Sequence, residues 1–353
     1  MPPKASDAQS TSAPTIRKAN VRLFNFMLSF LSDAHSLPYY GVLCYTSRMG
    51  SPDTAVIFEV REFCLHDGPG VRTTVFFKGC PLRCAWCHNP EGLSPLPEII
   101  FKERQCVRCG NCRNLPDDIS AIARACPQGM ERAFERVCPQ RAKVVCGRRW
   151  TVPELARELL SNADVFASSG GGITFSGGEP LIHADFIVKF INYMNGHMNG
   201  DRPLAHGDRP LHMAIETSGY ASATDYQAVI SRMDLVFQDL KHPDPVAHKR
   251  WTGTDPAPIH ANLRWLKASG KPFIARIPLI PGVNDSLEAK EGFARLLEGK
   301  SGLQRVELLP YHITAGAKYP CVGRKYAPGF DESRSPNTDL SPFVACGLDA
   351  VVM

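Results

Sequence analysis

The chain has 353 residues, of which 44% are hydrophobic and 21% charged, a globular composition that excludes a disordered or fibrous protein. Its formal net charge of +5 is too small to predict nucleic-acid binding by itself. No apolar run reaches the roughly 18 residues that a membrane-spanning helix needs. Neither a nucleic acid nor a membrane is therefore an expected partner.

In chain order, residues 1–50 come first and are basic and rich in Ser, Ala and Thr. We predict that they form a disordered tail or reflect a mis-assigned start, with a short signal or transit peptide as the weaker alternative. From Ala55 the pattern becomes regular. The predicted strands are Ala55–Val60, Val71–Lys78, Gly172–Phe175, His212–Glu216, Leu235–Asp239, Phe273–Ile277 and Arg305–Leu309. The predicted helices are Val152–Phe166, His183–Met194, Thr224–Ser231, Ala257–Ala268 and Leu287–Leu297.

This alternation of strands and helices predicts an α/β fold with a parallel sheet and right-handed crossovers. About six such units indicate a partial (βα)6 barrel, whose active site lies at the carboxyl ends of the strands. Residues 95–150 interrupt the pattern with six cysteines and little strand character. We predict a barrel from residues 51–94 and 151–330, a cluster-binding insert at 95–150, and a C-terminal segment at 331–353 that packs on the barrel.

The cysteines are unevenly spread, since nine of the thirteen lie between Cys80 and Cys146. Disulfide-rich proteins are short, whereas gaps of two or three residues in a long chain are typical of metal binding in a reducing compartment. We therefore expect a cytoplasmic protein. The cysteines outside that region or its pattern are interpreted as buried small apolar residues, and they are Cys44, Cys64, Cys321 and Cys346.

The first cysteine motif is Cys80, Cys84 and Cys87, directly after a predicted strand. Three thiolates on one loop can bind three irons of a [4Fe–4S] cluster, which leaves the fourth iron for a substrate. Structural zinc sites usually draw four ligands from paired motifs. A zinc knuckle or three unrelated core cysteines remain the alternatives from spacing alone.

The sequence around this motif is more specific than its spacing. It reads DGPGVRT at residues 67–73 and FFKGCPLRCAWCHN at residues 76–89. These segments resemble the glycyl-radical enzyme activating enzymes of the radical S-adenosylmethionine (SAM) superfamily, a resemblance that covers about residues 55–330. It implies an oxygen-sensitive oxidoreductase with a SAM-binding [4Fe–4S] cluster at Cys80, Cys84 and Cys87. Its protein substrate would be a glycyl-radical enzyme, its electron donor reduced flavodoxin or ferredoxin, and its expected state a monomer.

Further segments at successive strand ends match the same family. Gly177 and Gly178 let the backbone approach a ligand, and the Glu179 carboxylate can accept a hydrogen bond from an ammonium group. The resemblance implies that these three residues hold the amino group of SAM.

The next two segments follow the third and fourth barrel strands. Glu216, Thr217 and Ser218 correspond to a segment that helps to place SAM and can hold a monovalent cation. Asp239 and Lys241 point to the same side of their strand because side chains alternate. The resemblance places these two near SAM and the incoming peptide, as catalytic and SAM-binding residues.

Three more SAM contacts are implied by the resemblance. Arg276, in the RIPLIPG segment, has the forked guanidinium that suits the SAM carboxylate. His312 ends the last barrel strand, and Trp86 precedes the third cysteine at an aromatic position near the cluster and the adenine.

The second cysteine group lies in the insert. Cys106, Cys109 and Cys112 form half of a bacterial ferredoxin pattern, and Cys126 and Cys138 each precede a proline, as a fourth ligand often does. Without a second triplet we predict one auxiliary [4Fe–4S] cluster. The order of ligands in two-cluster ferredoxins favours Cys138 as its fourth ligand.

Several alternatives remain open. Cys126 is the second choice of fourth ligand, with Cys146 spare, and zinc could replace the auxiliary cluster. The protein could instead be another radical SAM enzyme that acts on a small molecule or peptide, or a non-catalytic iron–sulfur or zinc protein. The last explains none of the strand-end motifs, and DGPGVRT together with Asn89 favours an activating enzyme. The insert argues against the simplest formate-lyase activases.

Overall fold

The computed structural model describes residues 53–113, 115, 130–198, 211–299 and 302–353. All of them belong to one compact unit, Ser47–Met353. The predictions for residues 1–50 and for Cys126 lie outside the described residues. The strands are β1 Thr54–Cys64, β2 Arg72–Phe77, β3 Glu98–Phe101, β4 Lys143–Cys146, β5 Arg148–Thr151, β6 Gly172–Gly177, β7 His212–Thr217, β8 Leu235–Asp239, β9 Phe273–Leu279, β10 Leu303–Pro310 and β11 Ala350–Val352. The helices are α1 Met130–Val137, α2 Val152–Leu160, α3 Ala163–Ser169, α4 Ala184–Met198, α5 Ala223–Ile230, α6 Pro245–Thr252, α7 Ala257–Ser269, α8 Leu287–Leu297 and α9 Ser341–Ala345.

One mixed sheet organises the fold, with strand order β11-β10-β9-β8-β7-β6-β2-β1-β5. In this sheet order, each pair of neighbours from β11 through β6 to β2 is parallel. Strand β1 runs antiparallel to both of its neighbours, β2 and β5. The six parallel strands β2 and β6–β10 are those expected from the alternating pattern. The predicted α/β architecture with a mostly parallel, incompletely closed sheet is therefore confirmed.

The two faces of the sheet differ in character because side chains alternate along each strand. On β8, Val236 joins the large core beneath the helices, whereas Leu235 and Phe237 belong to a small apolar cluster with Ala214 and Ile274. This second, inner face also contains polar side chains. It carries the side chains from which the site is built.

Two local predictions were wrong. The helix predicted over residues 152–166 is two helices, α2 and α3, separated at Ser161 and Asn162, whose short polar side chains compete with the helical backbone. The insert, expected to have little strand structure, contains the antiparallel pair β3–β4 and the strand β5, which pairs with β1.

Helix α6 was not predicted, although Asp244 caps its start and Gly253 takes the left-handed conformation after its end.

The C-terminal segment packs on the barrel. Strand β11 adds to the edge of the sheet parallel to β10, and Phe343 of α9 is fully buried. No helix within the described ranges is long and apolar enough to cross a membrane.

Candidate active site

The three cysteines of the first motif lie on a loop that follows β2 and is fixed by backbone hydrogen bonds. The N–H of Arg83 donates to the carbonyl of Thr252 over 2.7 Å, and that of Ala85 to the carbonyl of Trp251 over 3.0 Å. The end of α6 therefore holds the middle of the loop. Trp86 is buried at this point, with 4% of its surface exposed.

The thiols of Cys80, Cys84 and Cys87 influence one another. Burial and then the neighbouring Cys84 raise the pKa of Cys80 well above its usual value. Burial raises the pKa of Cys84 to about 12 against the opposing effect of the Lys241 ammonium, and it also raises the pKa of Cys87. Three adjacent thiolates are thus unfavourable unless a cationic group joins them. Iron supplies that charge, so this set of donors fits a cluster that binds three thiolates.

The two glycines after β6 lie against the cysteine loop. A Cβ on Gly178 would fall 2.2 Å from the carbonyl oxygen of Gly79 and 2.5 Å from that of Gly92, and a Cβ on Gly177 would meet the Phe77 nitrogen at 2.3 Å. The Glu179 N–H also donates to the Gly79 carbonyl over 2.8 Å. Only glycine allows this close approach, so the cysteine loop and the loop after β6 are built as one unit.

Glu179 is fully buried and joins the loops that follow β6 and β7. One carboxylate oxygen accepts from the Leu181 N–H (3.1 Å) and the Thr217 hydroxyl (2.6 Å), and the other from the Ser218 N–H (2.9 Å) and hydroxyl (2.5 Å). Burial raises the pKa of Glu179, although these donors oppose the shift. Its acceptor positions are occupied, so an ammonium group could reach the carboxylate only if a hydroxyl turned away. The role predicted for Glu179 in SAM binding stays a prediction.

Asp239 and Lys241 form an ion pair at the carboxyl end of β8, with 2.6 Å between Oδ2 and Nζ. Burial opposes the ammonium form, but Asp239 and then Cys84 outweigh it and raise the pKa of Lys241. The structure thus brings the predicted pair beside the predicted cluster ligands, with the positive charge facing the thiols.

Arg276 lies at the centre of the inner face and is held from several sides. Its Nε donates to Glu307 over 2.8 Å and one Nη to the His66 carbonyl over 2.9 Å, while the other Nη contacts Glu216. The guanidinium carbon lies 3.8 Å from the centre of the Phe237 ring. Burial alone would lower the pKa of Arg276, but the two carboxylates outweigh it and raise it. The fork is therefore charged and fixed in one orientation.

Glu307 was not predicted as a site residue. Its side chain is 1% exposed, and its second oxygen accepts from both Nε (2.9 Å) and Nη2 (2.6 Å) of Arg305. The alternation of side chains in β10 could have identified Glu307 as an inner-face residue. Val306 and Leu308 point to the core, so the acid between them must point to the inner face.

His312 contacts a residue of its own turn. It is exposed and uses Nδ1 to contact the Thr314 hydroxyl over 2.7 Å, which caps the turn after β10. Its predicted contact with SAM stays a prediction.

A buried polar bridge that the sequence did not suggest joins the cysteine loop to the insert and to the C-terminal part. Lys78 is fully buried and donates to the Glu91 carbonyl (2.6 Å) and to Glu98 of β3 (2.9 Å). Arg324 contacts the other oxygen of Glu98 at 2.6 Å, and Lys318 contacts the Glu91 carboxylate at 2.6 Å. Since the partners are up to 227 residues apart in the chain, no local pattern could have revealed them.

The insert cysteines are less enclosed. Cys106 and Cys112 are partly exposed and Cys109 is exposed. Backbone N–H groups, first that of Lys143, lower the pKa of the buried Cys138, whereas burial raises the pKa of Cys146 to about 11. Among the residues that the structure describes, no three His, Cys, Asp or Glu side chains form a group suited to a single metal ion.

Comparison with known proteins decides the family. The model of the radical SAM superfamily matches residues 74–290. The isethionate sulfite-lyase activating enzyme of Nitratidesulfovibrio vulgaris is 35% identical over 77% of this chain and 89% of its own length. The choline trimethylamine-lyase activating enzyme of Oleidesulfovibrio alaskensis is 34% identical over 83% and 94%, and the benzylsuccinate synthase activating enzyme of Thauera aromatica is 36% identical over 76% and 82%.

The chain belongs to the glycyl-radical enzyme activating enzymes of the radical SAM superfamily. Membership confirms the resemblance on which the sequence-based expectations rest. A radical SAM activating enzyme uses a [4Fe–4S] cluster and SAM, so both are cofactors of this protein.

Proposed function

We propose that this activating enzyme installs a glycyl radical in a partner enzyme, using Cys80, Cys84 and Cys87 to hold the SAM-binding cluster. When bound, the cluster supplies the electron that splits SAM into methionine and a 5′-deoxyadenosyl radical, which removes the α-hydrogen of the partner's glycine. The protein's own residues bind and orient SAM and exclude water.

The residues of the inner face have distinct parts in this proposal. Arg276 binds the SAM carboxylate through its fork, and the backbone at Gly177 and Gly178 approaches the SAM amino group. Thr217, Ser218 and Glu179 fix the pocket wall, and Glu216 is the candidate oxygen ligand for a monovalent cation. Asp239 holds Lys241 toward the cluster, while Trp86 and His312 stay candidates for contacts with the adenine end.

One observation carries the proposal. The cysteine loop and the Gly-Gly-Glu loop interlock through backbone contacts too close for any side chain, and both lie at the carboxyl ends of parallel strands, beside Lys241. A cluster held by the first loop and a ligand held by the second are therefore neighbours.

The test is anaerobic incubation of the reconstituted protein with SAM, a reductant and a candidate glycyl-radical enzyme. We expect a glycyl doublet by electron paramagnetic resonance and one methionine for each SAM consumed. Methionine without a doublet on any encoded partner would favour the small-molecule or peptide interpretation instead. The relatives serve lyases, a synthase and dehydratases by name, so we expect the partner in those classes.

A substitution of Glu307 tests whether Arg276 binds the SAM carboxylate. Replacing Glu307 with glutamine removes a charged hydrogen bond worth about 1.5 kcal/mol or more, so SAM should bind roughly tenfold more weakly. Binding of decarboxylated SAM, which offers Arg276 no carboxylate, should be nearly unchanged. Both affinities can be measured by isothermal titration calorimetry.

The matched control is Arg305→Gln, which loses only the partly exposed partner of Glu307 and should change SAM affinity by less than about threefold. Equal weakening for SAM and its decarboxylated form would contradict the role of Arg276.

We also propose that the insert holds one auxiliary [4Fe–4S] cluster on Cys106, Cys109, Cys112 and Cys138. The backbone N–H groups around Cys138 favour its thiolate, as cluster ligands need, whereas Cys146 lies in a setting that favours the thiol. The donor would be reduced flavodoxin or ferredoxin, and we propose a monomer in the cytoplasm.

Iron content distinguishes the two candidate ligands. Cys138→Ser is expected to lower bound iron from about eight to about four atoms per chain, because a lost ligand destabilises a whole cluster. Cys146→Ser should retain about eight, as measured by iron analysis and cluster absorbance. The reverse result would assign the ligand to Cys146, and no loss in either variant would point to Cys126.

A further inference from the structure

Two uncharged polar residues lie at positions where the packing pattern favours apolar ones. Asn262 is 2% exposed and lies on the buried face of α7 with Leu263 and Leu266. Gln238 is fully buried on β8 and points to the same side as Val236, into the core beneath the helices. Burial of an amide is unfavourable unless its polar atoms find hydrogen-bond partners. The partners therefore indicate what these two side chains do.

Both amides bind the backbone of the loop that follows β7. Nδ2 of Asn262 donates to the carbonyls of Gly219 over 2.9 Å and Ala221 over 3.0 Å. Nε2 of Gln238 donates to the carbonyl of Ser218 over 2.9 Å. Three carbonyls of one short loop are therefore bound by side chains of α7 and β8.

The loop and the Gln238 amide are fitted to each other. Gly219 has a φ of +76°, and a Cβ at this position would lie 2.8 Å from Nε2 of Gln238. The oxygen of the same amide accepts from the hydroxyl of Tyr226, a fully buried residue of α5, over 2.9 Å. This hydrogen bond fixes the direction of the amide, so its nitrogen must point to the loop.

The loop carries residues of the proposed SAM pocket. The N–H and hydroxyl of Ser218 and the hydroxyl of Thr217 all donate to the carboxylate of Glu179. Ser218 is thus held by Glu179 through its donors and by Gln238 through its carbonyl. The contacts with Glu179 set the position of the loop relative to the loop after β6, and the amides set its position relative to the core.

We infer that Asn262 and Gln238 are positioning residues for SAM binding, which act through the backbone of the loop after β7 and not by contact with SAM. This inference rests on the proposed function, in which Thr217 and Ser218 form part of the pocket wall. Without the amides the loop carbonyls lose their donors, and the loop adopts further conformations. The apparent affinity for SAM falls in proportion to the fraction of molecules whose loop keeps the binding conformation.

The test compares Asn262→Leu with Leu266→Ala, a control variant in the same helix. Leucine has the branched shape of asparagine and as many non-hydrogen atoms, but it cannot donate a hydrogen bond. Leu266→Ala removes core packing and leaves the contacts of the loop in place. The affinity of the reconstituted protein for SAM is measured by isothermal titration calorimetry. Opening of residues 217–221 is measured without SAM by hydrogen exchange.

We expect Asn262→Leu to bind SAM about tenfold more weakly and to exchange the amide hydrogens of Ser218 and Gly219 about tenfold faster. Leu266→Ala should lower the melting temperature at least as much, yet bind SAM within about twofold of the unchanged protein. Unchanged affinity in Asn262→Leu, or equal weakening in both variants, would overturn the inference.

Gln238→Met removes the other amide and provides an independent measurement if Asn262→Leu does not fold. It should weaken SAM binding at least about threefold, since it removes one loop contact where Asn262→Leu removes two. Unchanged SAM affinity in this variant would show that the Ser218 carbonyl needs no donor, which contradicts the inference.

Steady-state kinetics with dithionite as reductant separate this inference from the proposed function. In Asn262→Leu the KM for SAM should rise about tenfold, while kcat stays within about twofold, because saturating SAM selects the binding conformation of the loop. A lowered kcat with an unchanged KM would overturn the inference. If the unchanged protein neither binds nor cleaves SAM, the proposed function itself fails. If the unchanged protein and Asn262→Leu bind and cleave SAM equally well, only the role of the amides fails.

Discussion

Replacing Cys84 with alanine is expected to abolish SAM cleavage, a loss of about 10³-fold or more, as when other catalytic machinery is broken. Cys84 is close enough to the other thiols and to Lys241 to interact with them electrostatically, and its loss removes one proposed ligand of the cluster. Iron should fall by about four atoms per chain while the auxiliary cluster stays bound. Iron analysis and the yield of 5′-deoxyadenosine measure both effects.

The control is Cys346→Ser, which changes an exposed thiol at the end of α9. It should retain full iron content and activity. A Cys84→Ala protein that still bound all its iron and cleaved SAM would contradict the assignment of the first cysteine motif to the radical-generating cluster.

Replacing Lys78 with methionine is expected to lower the free energy of unfolding by about 3 kcal/mol or more. The change removes a fully buried ammonium, leaves the Glu91 carbonyl without its donor, and leaves Glu98 with Arg324 alone. A fall in melting temperature of roughly 5 °C or more should follow. Hydrogen exchange should show faster opening of β3 than of the barrel strands, because the bridge joins the insert to the barrel.

Lys189→Met is the matched control, since Lys189 pairs with Asp53 from a side chain that is 51% exposed. Its cost should stay below about 1 kcal/mol, as for other surface pairs. If both methionine variants had the same melting temperature, the buried bridge would not hold the insert in place.

The sequence predicted the barrel strands and most of the inner-face residues because both follow local rules. Alternating patterns identify β6–β10, and the motifs at their carboxyl ends supplied Gly178, Asp239 and Arg276. Glu307 follows the same alternation but belongs to no motif, so it was missed. The break between α2 and α3 depends on two polar residues that weaken a helix only slightly.

Other features depend on contacts that local patterns do not contain. The bridge of Lys78, Glu98 and Arg324 joins residues separated by more than 200 positions, and its members look like ordinary surface charges in the sequence. Strand β3 contains only four residues and is defined by its pairing with β4.

The contacts of Lys318 and Arg324 with residues 89–98 bear on the order in which the protein matures. Lys318 donates to the Asn89 side chain over 2.9 Å, and Arg324 contacts the Pro90 carbonyl, so residues near the end of the chain hold the segment after Cys87. Pairings over such long separations form late in folding because loop closure must precede them. A nascent chain that has not reached residue 318 has all three cluster ligands but lacks the anchors of their loop. Iron–sulfur loading is thus expected to follow the completion of translation.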